Sequence, residues 1–370
     1  MPLSQDEQDA LRRRCRIVVG GHRDSAPGEE LSQVGEWCRE HGWHADRYGD
    51  GALIGAFETR IATLLGKDAA VFMPSGTMAQ QIALRIAAEH AGIPQVAMHP
   101  TSHLELHELR AYARLQRLEA VLLGPSERPT LAGDLKAYPE RLAALLVELP
   151  AREIGGQLPT WEELNELSEL ARTRGVHLHM DGARLWEARE AYAPRSHADL
   201  CALFDSVYVS FYKGIGALAG AMLVGTSELA REARVWRKRH GGTLWQLHPY
   251  VASAAMRFDA QLAKMPAYRA RALALAERLA RVPGVRILPY PPQVNLFHLY
   301  WPAPAAALTA ARDRLAEDDG AWMAQRFSAA QVPGWAYQEL YVGDDLLTLD
   351  DAVVAPLFAK MLALAQAAPA

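Results

Sequence analysis

The sequence predicts an α/β protein: a mostly parallel sheet covered by helices on both faces, followed by a smaller α+β domain. Three observations predict it. From about Phe57 to Gly225, short apolar strand patterns trade places with helical patterns through short connections, as a parallel sheet requires. One unit, "LPTWEELNELSELARTRGVHLHMDGARLW", shows the alternation in full, with a helix start, an apolar face, a glycine stop and a strand. Beyond about Leu247 the alternation gives way to a long helical stretch and separated β segments. With 370 residues, 50% of them hydrophobic, the chain can bury a sizeable core and form two domains.

Taken in order, residues 1–50 read as an arm. "GGHRDSAPGEE" is a loop there, "LSQVGEWCREHGWHADRYGDG" is short and dotted with aromatic residues, and no regular sheet is visible. Residues 51–247 form the large α/β domain. "FETRIATLLG" has helical spacing, "AAVFM" is a strand, "GTMAQQIALRIAAEHAG" is a helix closed by glycine, and "QVAMHP" is another strand. Thr160 with Glu163 makes a capping-box pattern, Trp161, Leu164, Leu167 and Ala171 line one face, and Gly175 ends the helix before the strand "VHLHMD". "DSVYVSFYKG" and "GAMLVG" add two strands. Residues 248–370 form the small domain, with one long helix-like stretch, "ASAAMRFDAQLAKMPAYRARALALAERLARVPG", then "VRILPY", "VNLFHLYW" and a β region near "WAYQELYV".

Charge and cysteine usage narrow the partners. Lys+Arg 39 against Asp+Glu 43 gives a net charge of -4, so no polyelectrolyte partner is implied and nucleic acid is disfavoured. Cys15, Cys38 and Cys201 lack CxxC spacing, which suits a reducing cytosol. No apolar stretch reaches bilayer-spanning length, and "MPLSQDEQDALRRRC" lacks the apolar middle of a secretion signal, so a cytoplasmic location without membrane contact is expected.

Chemistry points first to Lys213. Among six lysines it alone lies between an apolar run, "VYVSFY", and a segment of glycine and alanine. Desolvation at a strand end lowers a lysine's pKa and frees the amine to form a Schiff base; the alternative is a lysine snorkelling to water. Ser75, Gly76 and Thr77 lie between a strand and a helix start, where free N–H groups and the helix dipole favour a phosphate, although the same triplet also serves as a plain N-cap. Asp181 falls at the C-terminal end of a buried strand, followed by a glycine and Arg184. It can cap a helix or hold a ring N–H, and ligands of open α/β sheets bind outside those strand ends. Phosphate cradle, carboxylate and lysine in that order point to pyridoxal 5'-phosphate, which needs its phosphate anchored, its ring nitrogen protonated and its aldehyde held as an imine. His99, His103 and His107 are spaced by four, but Pro100 disfavours one helix through all three and no acidic set accompanies them, so no metal is expected.

"VFMPSGTMAQQ", "HMDGARLW", "SFYKGIGALAG" and, upstream, "DRYGDGALIGAFE" resemble the threonine aldolase and β-eliminating lyase family over roughly residues 46–242. The resemblance implies the aspartate-aminotransferase-like fold (fold type I of pyridoxal-phosphate enzymes), with a mostly parallel seven-stranded sheet flanked by helices. It further implies that Lys213 carries the cofactor as a Schiff base, Asp181 meets the pyridine nitrogen, and Gly76 and Thr77 hold the phosphate with Ser75 beside them. Arg184 then lies near the ring hydroxyl and the substrate carboxylate. His103 stacks on the ring and handles the substrate hydroxyl proton, with an activated water as the competing base. Glu148 matches a strand-end acid near the cofactor and substrate, a plain structural role being the alternative. The implied reaction is reversible cleavage of a β-hydroxy-α-amino acid, such as L-threonine or L-allo-threonine, to glycine and an aldehyde. The alternative on the same scaffold is β-elimination from another amino acid. A homodimer or homotetramer is also implied.

Three departures stand out. The arm reads "RIVVGGHRDSAPG" where the family opens with Ser-Asp-Thr. Trp245 replaces the arginine after the Gly-Gly pair that reaches a neighbour's phosphate, and Glu339 falls near the place of the small-domain arginine that grips the substrate carboxylate.

Overall fold

The computed structural model describes residues 3–21 and 25–367. By contacts the chain divides into two compact units, one spanning residues 25–263 and the other joining residues 1–24 to 264–370. The helix His248–Leu262, read from the sequence into the small domain, clusters with the larger unit.

The larger unit is built on seven strands: β1 (Ala69–Met73), β2 (Gln95–Met98), β3 (Glu119–Leu122), β4 (Ala144–Glu148), β5 (His177–Gly182), β6 (Ser206–Ser210) and β7 (Ala221–Gly225). Their order across the sheet is β1-β7-β6-β5-β4-β2-β3. Every pairing from β6 through β3 is parallel, while β7 runs antiparallel to both β1 and β6. Strands β4 to β7 are almost wholly buried, as expected for strands covered on both faces.

Helices close the sheet where the sequence supplies their signals. Ser75 caps the helix Gly76–Ala91 through its hydroxyl oxygen, which accepts from the Met78 N–H at 3.3 Å, and Gly92 ends that helix at φ 68°. Thr160 and Glu163 form the expected capping box on Trp161–Thr173. Apolar side chains of Gly76–Ala91 and Ser227–Arg239, among them Ile82, Ile86 and Leu229, pack against Val71, Met73 and Leu223 of the sheet. Asp46 ties an otherwise irregular segment down. Its carboxylate accepts the Gly49 N–H at 2.9 Å and the Leu247 and His248 N–H groups at 2.8 Å.

The other unit contains a four-stranded antiparallel sheet that includes Leu296–Trp301 and Ala336–Tyr341. Two expectations are corrected. The long helical stretch is two helices, His248–Leu262 and Met265–Leu279, because Pro266 in the first turn of the second has no N–H to continue the first. The arm is largely helical, at Gln5–Arg14 and Pro27–Glu40, with proline at the N-terminus of the latter; the "HRD" of its expected loop lies outside the described residues. A two-residue strand, Ile17–Val18, also pairs in parallel with Ala321–Trp322.

Candidate active site

Parallel register puts three side chains in one row. Glu148 at the end of β4 pairs with Asp181 on β5, which pairs with Tyr208 on β6, and residues opposite one another in a ladder project to the same face. The chain leaves β6 at Ser210. Phe211 then turns inward among Phe57, Phe72, Trp186 and Phe258, while Tyr212 is exposed, and Lys213 follows. The indole N–H of Trp186 donates to the Ser210 carbonyl at 2.9 Å, fixing the short helix Leu185–Ala188 against the lysine loop.

The amine is desolvated, as its sequence context suggests. Burial lowers the Lys213 pKa; Asp181 opposes this, Arg184 reinforces it, and Glu148 and Arg152 act more weakly in opposite senses. Those four charges therefore act on the amine. Lys67 is also part-buried, and its amine donates to the Phe204 carbonyl.

Asp181 is 4% exposed. Burial raises its pKa against the pull of Lys213 and of the Ala183 N–H, which donates to Oδ1 at 3.0 Å. Oδ2 accepts a hydrogen bond from the amide of Gln80. Glu148 beside it is pushed up to about 8, first by burial and then by Asp181, while the His103 N–H donates to its Oε1 at 2.6 Å. The imidazole of His103 is paired through Nδ1 with Oε1 of Glu108 at 3.0 Å. The Glu108 side chain is only 4% exposed, and its Oε2 is buried without a hydrogen-bond partner.

Two glycines are required by close approach. A Cβ on Gly76 would collide with the Tyr208 hydroxyl, and one on Gly214 would collide with the carboxylate of Glu187, which also lies 3.7 Å from Arg184. Gly76 and Thr77 occupy the first turn of their helix, where backbone N–H groups lack intrahelical acceptors. The Ser75 hydroxyl oxygen serves the cap, so that part of the bland alternative holds, although its O–H remains a donor.

The residues present fit pyridoxal 5'-phosphate by donor chemistry: N–H groups for an anion, a buried carboxylate for a ring N–H, and a desolvated amine for an aldehyde. The Ser102 hydroxyl, buried beside His103 without a hydrogen-bond partner, is a further polar group toward a ligand.

The three spaced histidines have different hydrogen-bond partners, although the rings of His103 and His107 lie 5.2 Å apart. His99 faces the Thr101 hydroxyl and the carbonyls of Pro125 and Arg128, His103 faces Glu108, and His107 faces Glu153 at 2.9 Å. Among the described residues no group of three or more His, Cys, Asp or Glu could hold a metal ion. Trp245 is 54% exposed, meets Tyr48 edge-on at 5.0 Å, and has the Arg47 guanidinium 5.5 Å from its ring centroid. Glu339 pairs with His298 in the small antiparallel sheet. Sequence reasoning missed Gln80, Glu108, Glu187, Tyr208 and Arg152. Of these only Gln80 carried a signal, as one of two adjacent glutamines in an otherwise apolar helix.

Known proteins resemble this chain in sequence and fold. Residues 43–301 match the family described as beta-eliminating lyase. Aldolase vrtJ of Penicillium aethiopicum is 36% identical, the match covering 65% of this chain and 63% of that protein. Low-specificity L-threonine aldolase 1 of Arabidopsis thaliana is 30% identical, over 62% of this chain and 66% of that one. The chain thus spans slightly under two thirds of the length of these curated relatives. A crystal structure of a Listeria monocytogenes protein assigned as an L-allo-threonine aldolase superposes with TM-score 0.90 at 39% identity, covering 97% of this chain and 99% of that chain. Leishmania major threonine aldolase, at 18% identity and TM-score 0.73, shares the fold. This chain belongs to the β-eliminating lyase family and has its fold, type I of the pyridoxal-phosphate enzymes.

Proposed function

We propose that this protein is a pyridoxal 5'-phosphate-dependent aldehyde-lyase that cleaves a β-hydroxy-α-amino acid, of the L-threonine or L-allo-threonine type, reversibly to glycine and an aldehyde. The observation that carries the proposal is the desolvated amine of Lys213 within electrostatic reach of the buried Asp181 carboxylate at the strand ends. The names of the Arabidopsis and Listeria proteins support the same reading.

When bound, the cofactor supplies an electron sink for the pair left on Cα as the Cα–Cβ bond breaks. The chain does the rest. Lys213 holds the aldehyde through a C=N link, Gly76 and Thr77 donate N–H groups to the phosphate with Ser75 beside them, and Asp181 keeps the ring nitrogen protonated. Arg184 binds the substrate carboxylate, and Glu148 borders the same space. His103 takes the proton from the β-hydroxyl, whose oxygen becomes the aldehyde carbonyl. Glu108, bonded to Nδ1, leaves Nε2 as the basic nitrogen.

β-Elimination uses the same groups with Lys213 as the base for the α-proton, and its depressed pKa suits that role as well. Products separate the two. Incubation of the loaded protein with L-threonine and L-allo-threonine yields glycine and acetaldehyde in equal amounts; 2-oxo acid and ammonia in their place overturn the aldolase reading. Borohydride fixes the cofactor on Lys213, and a label elsewhere or none sinks the assignment of the amine.

The exposed Tyr48 and Trp245 side chains are suited to contact with a second copy, which supports a homodimer or homotetramer. None of Cys15, Cys38 and Cys201 is in a disulfide, and no helix among the described residues is long and apolar enough to cross a membrane. A reducing, cytoplasmic setting fits both observations.

A further inference from the structure

Behind Asp181 lies a buried polar chain that the proposed reaction does not use. His177, His179 and Asp181 alternate along β5 and so share a face, against which the helix Gly76–Ala91 packs. Gln80 of that helix bridges two of them. Its amide nitrogen meets Oδ2 of Asp181, and its amide oxygen lies 2.8 Å from Nε2 of His179. Nδ1 of His179 is 2.7 Å from Oγ of Ser206, its register partner on β6, and the same Oγ is 2.7 Å from Nε2 of His177. Gln80, His179 and Ser206 are each at most 1% exposed, so water cannot substitute for a missing partner.

We propose that Gln80, His179 and Ser206 form a one-way hydrogen-bond relay that holds Asp181 as a charged acceptor toward the cofactor's ring nitrogen, which makes them positioning residues for that carboxylate. The direction follows from counting donors. A charged Asp181 can only accept, so Gln80 presents its NH₂ there and its oxygen to His179. The oxygen then needs a proton on Nε2. Burial holds His179 far below the usual imidazole range, at about 3, so the ring is neutral and Nδ1 is an acceptor, which Ser206 must supply with its O–H. Ser206 in turn accepts from Nε2–H of His177.

The opposite direction is also complete, but only with a proton on Oδ2 of Asp181 and all three intervening groups reversed together. An amide flip at Gln80 alone would set its oxygen against a carboxylate and its NH₂ against Nε2–H. The relay therefore converts four separate orientations into one choice, and that choice decides whether the acid under the ring is charged. The inference rests on the cofactor reading above; its consequence is that ring protonation depends on a serine separated from the carboxylate by two other side chains.

The test uses the full-length, cofactor-loaded protein with ¹⁵N-labelled histidine. Wild type is expected to show His179 as the neutral Nε2–H tautomer. Ser206→Ala removes the hydroxyl that donates to Nδ1, so the His179 signals move toward a mixture of tautomers, while Ser206→Thr, which keeps the hydroxyl, restores the wild-type pattern. The visible absorption band gives a second readout. A ring with less positive charge repels the proton on the lysine–cofactor nitrogen less, so the pH midpoint of the band rises by about one unit in Ser206→Ala and in Gln80→Met. Gln80→Met also weakens cofactor binding by about tenfold, from loss of a hydrogen bond to a charged group.

A wild-type His179 protonated on Nδ1 overturns the relay. So does a Ser206→Ala protein whose tautomer and band midpoint match wild type. Should Ser206→Ala fail to fold, the wild-type tautomer and the Gln80→Met midpoint decide. If the chain takes up no cofactor, the functional reading falls, while the tautomer measurement still decides the relay.

Discussion

Replacing Glu148 with glutamine tests the electrostatics of the row Glu148–Asp181–Tyr208 without touching the lysine. The Glu148 pKa is raised from 4.5 to about 8 by burial and by Asp181. A shift of that size corresponds to ~5 kcal/mol between the two protonation states. Glu148 keeps partial exposure, so solvent screening reduces the expected effect to ~2–3 kcal/mol. The sign follows from the raised value. Below pH 4.5 the acid is protonated whether the chain is folded or not, and its contribution to stability is fully present. As the pH rises the unfolded chain ionises first, and the folded state loses stability until the pH passes about 8. Glu148→Gln never ionises, and its amide oxygen still accepts the His103 N–H. Urea denaturation of the cofactor-free protein at several pH values measures the difference. The variant should match wild type near pH 4.5 and exceed it by ~2–3 kcal/mol above pH 8. A difference that stays flat between pH 5 and 8, or one in which wild type gains, refutes the argument that this acid is held neutral.

Two further substitutions test the scaffold. Gly214→Ala puts a methyl group against the Glu187 carboxylate, so Lys213 or Glu187 must shift; a destabilisation of ~1–3 kcal/mol and weakened cofactor uptake are expected, measured by urea midpoint and by absorbance titration with pyridoxal phosphate. Asp46→Ala strips the acceptor from three backbone N–H groups and should cost ~3 kcal/mol or more, whereas Asp46→Asn, keeping one acceptor oxygen, should cost clearly less by the same urea assay. Burial alone would raise the Asp46 pKa, but the hydrogen bonds from His248, Gly49 and Leu247 outweigh it and lower the pKa. Its stabilisation is therefore complete above the ordinary aspartate range and is lost only as the pH falls through the depressed value.

Lys213, Asp181 and Gly76 could be read from the sequence because each is marked by its own neighbours. Gly76 and Asp181 lie where a strand passes into a helix, and Lys213 in the connection that leaves β6, so all three fall beyond C-terminal strand ends and can share a rim before any tertiary contact is known. Gln80, Ser206 and Glu108 lacked that advantage. Gln80 acquires its role only from register, since it meets residues 99 and 101 positions away. Ser206 is one polar residue in a buried strand, and its partners are set by how β6 aligns with β5. Glu108 folds back onto His103 just past the single-turn helix His103–Leu106, immediately before two residues at positive φ, Leu109 and Arg110, an irregular stretch that no periodicity announces. The break between His248–Leu262 and Met265–Leu279 was signalled by Pro266 and hidden by the continuous alanine-rich helical pattern on either side.

The departures from the family pattern and the buried relay bear on one question, namely where this chain keeps its positive charge. Asp181 and Glu148 put two acids beside one amine, and burial disfavours ionising both. Glu148 relieves the conflict by staying protonated up to about pH 8, which leaves Asp181 as the acid that pairs with a cation. Donors converge on that choice: the Ala183 N–H on one oxygen, the Gln80 amide on the other, and Lys213 nearby. Arg184 and Arg152 lie on the same amine's horizon and depress its pKa. In the substrate-bound protein a carboxylate would neutralise part of that repulsion. The arrangement thus favours an anionic ligand and a neutral lysine together, the pairing a carbonyl-reactive amine needs.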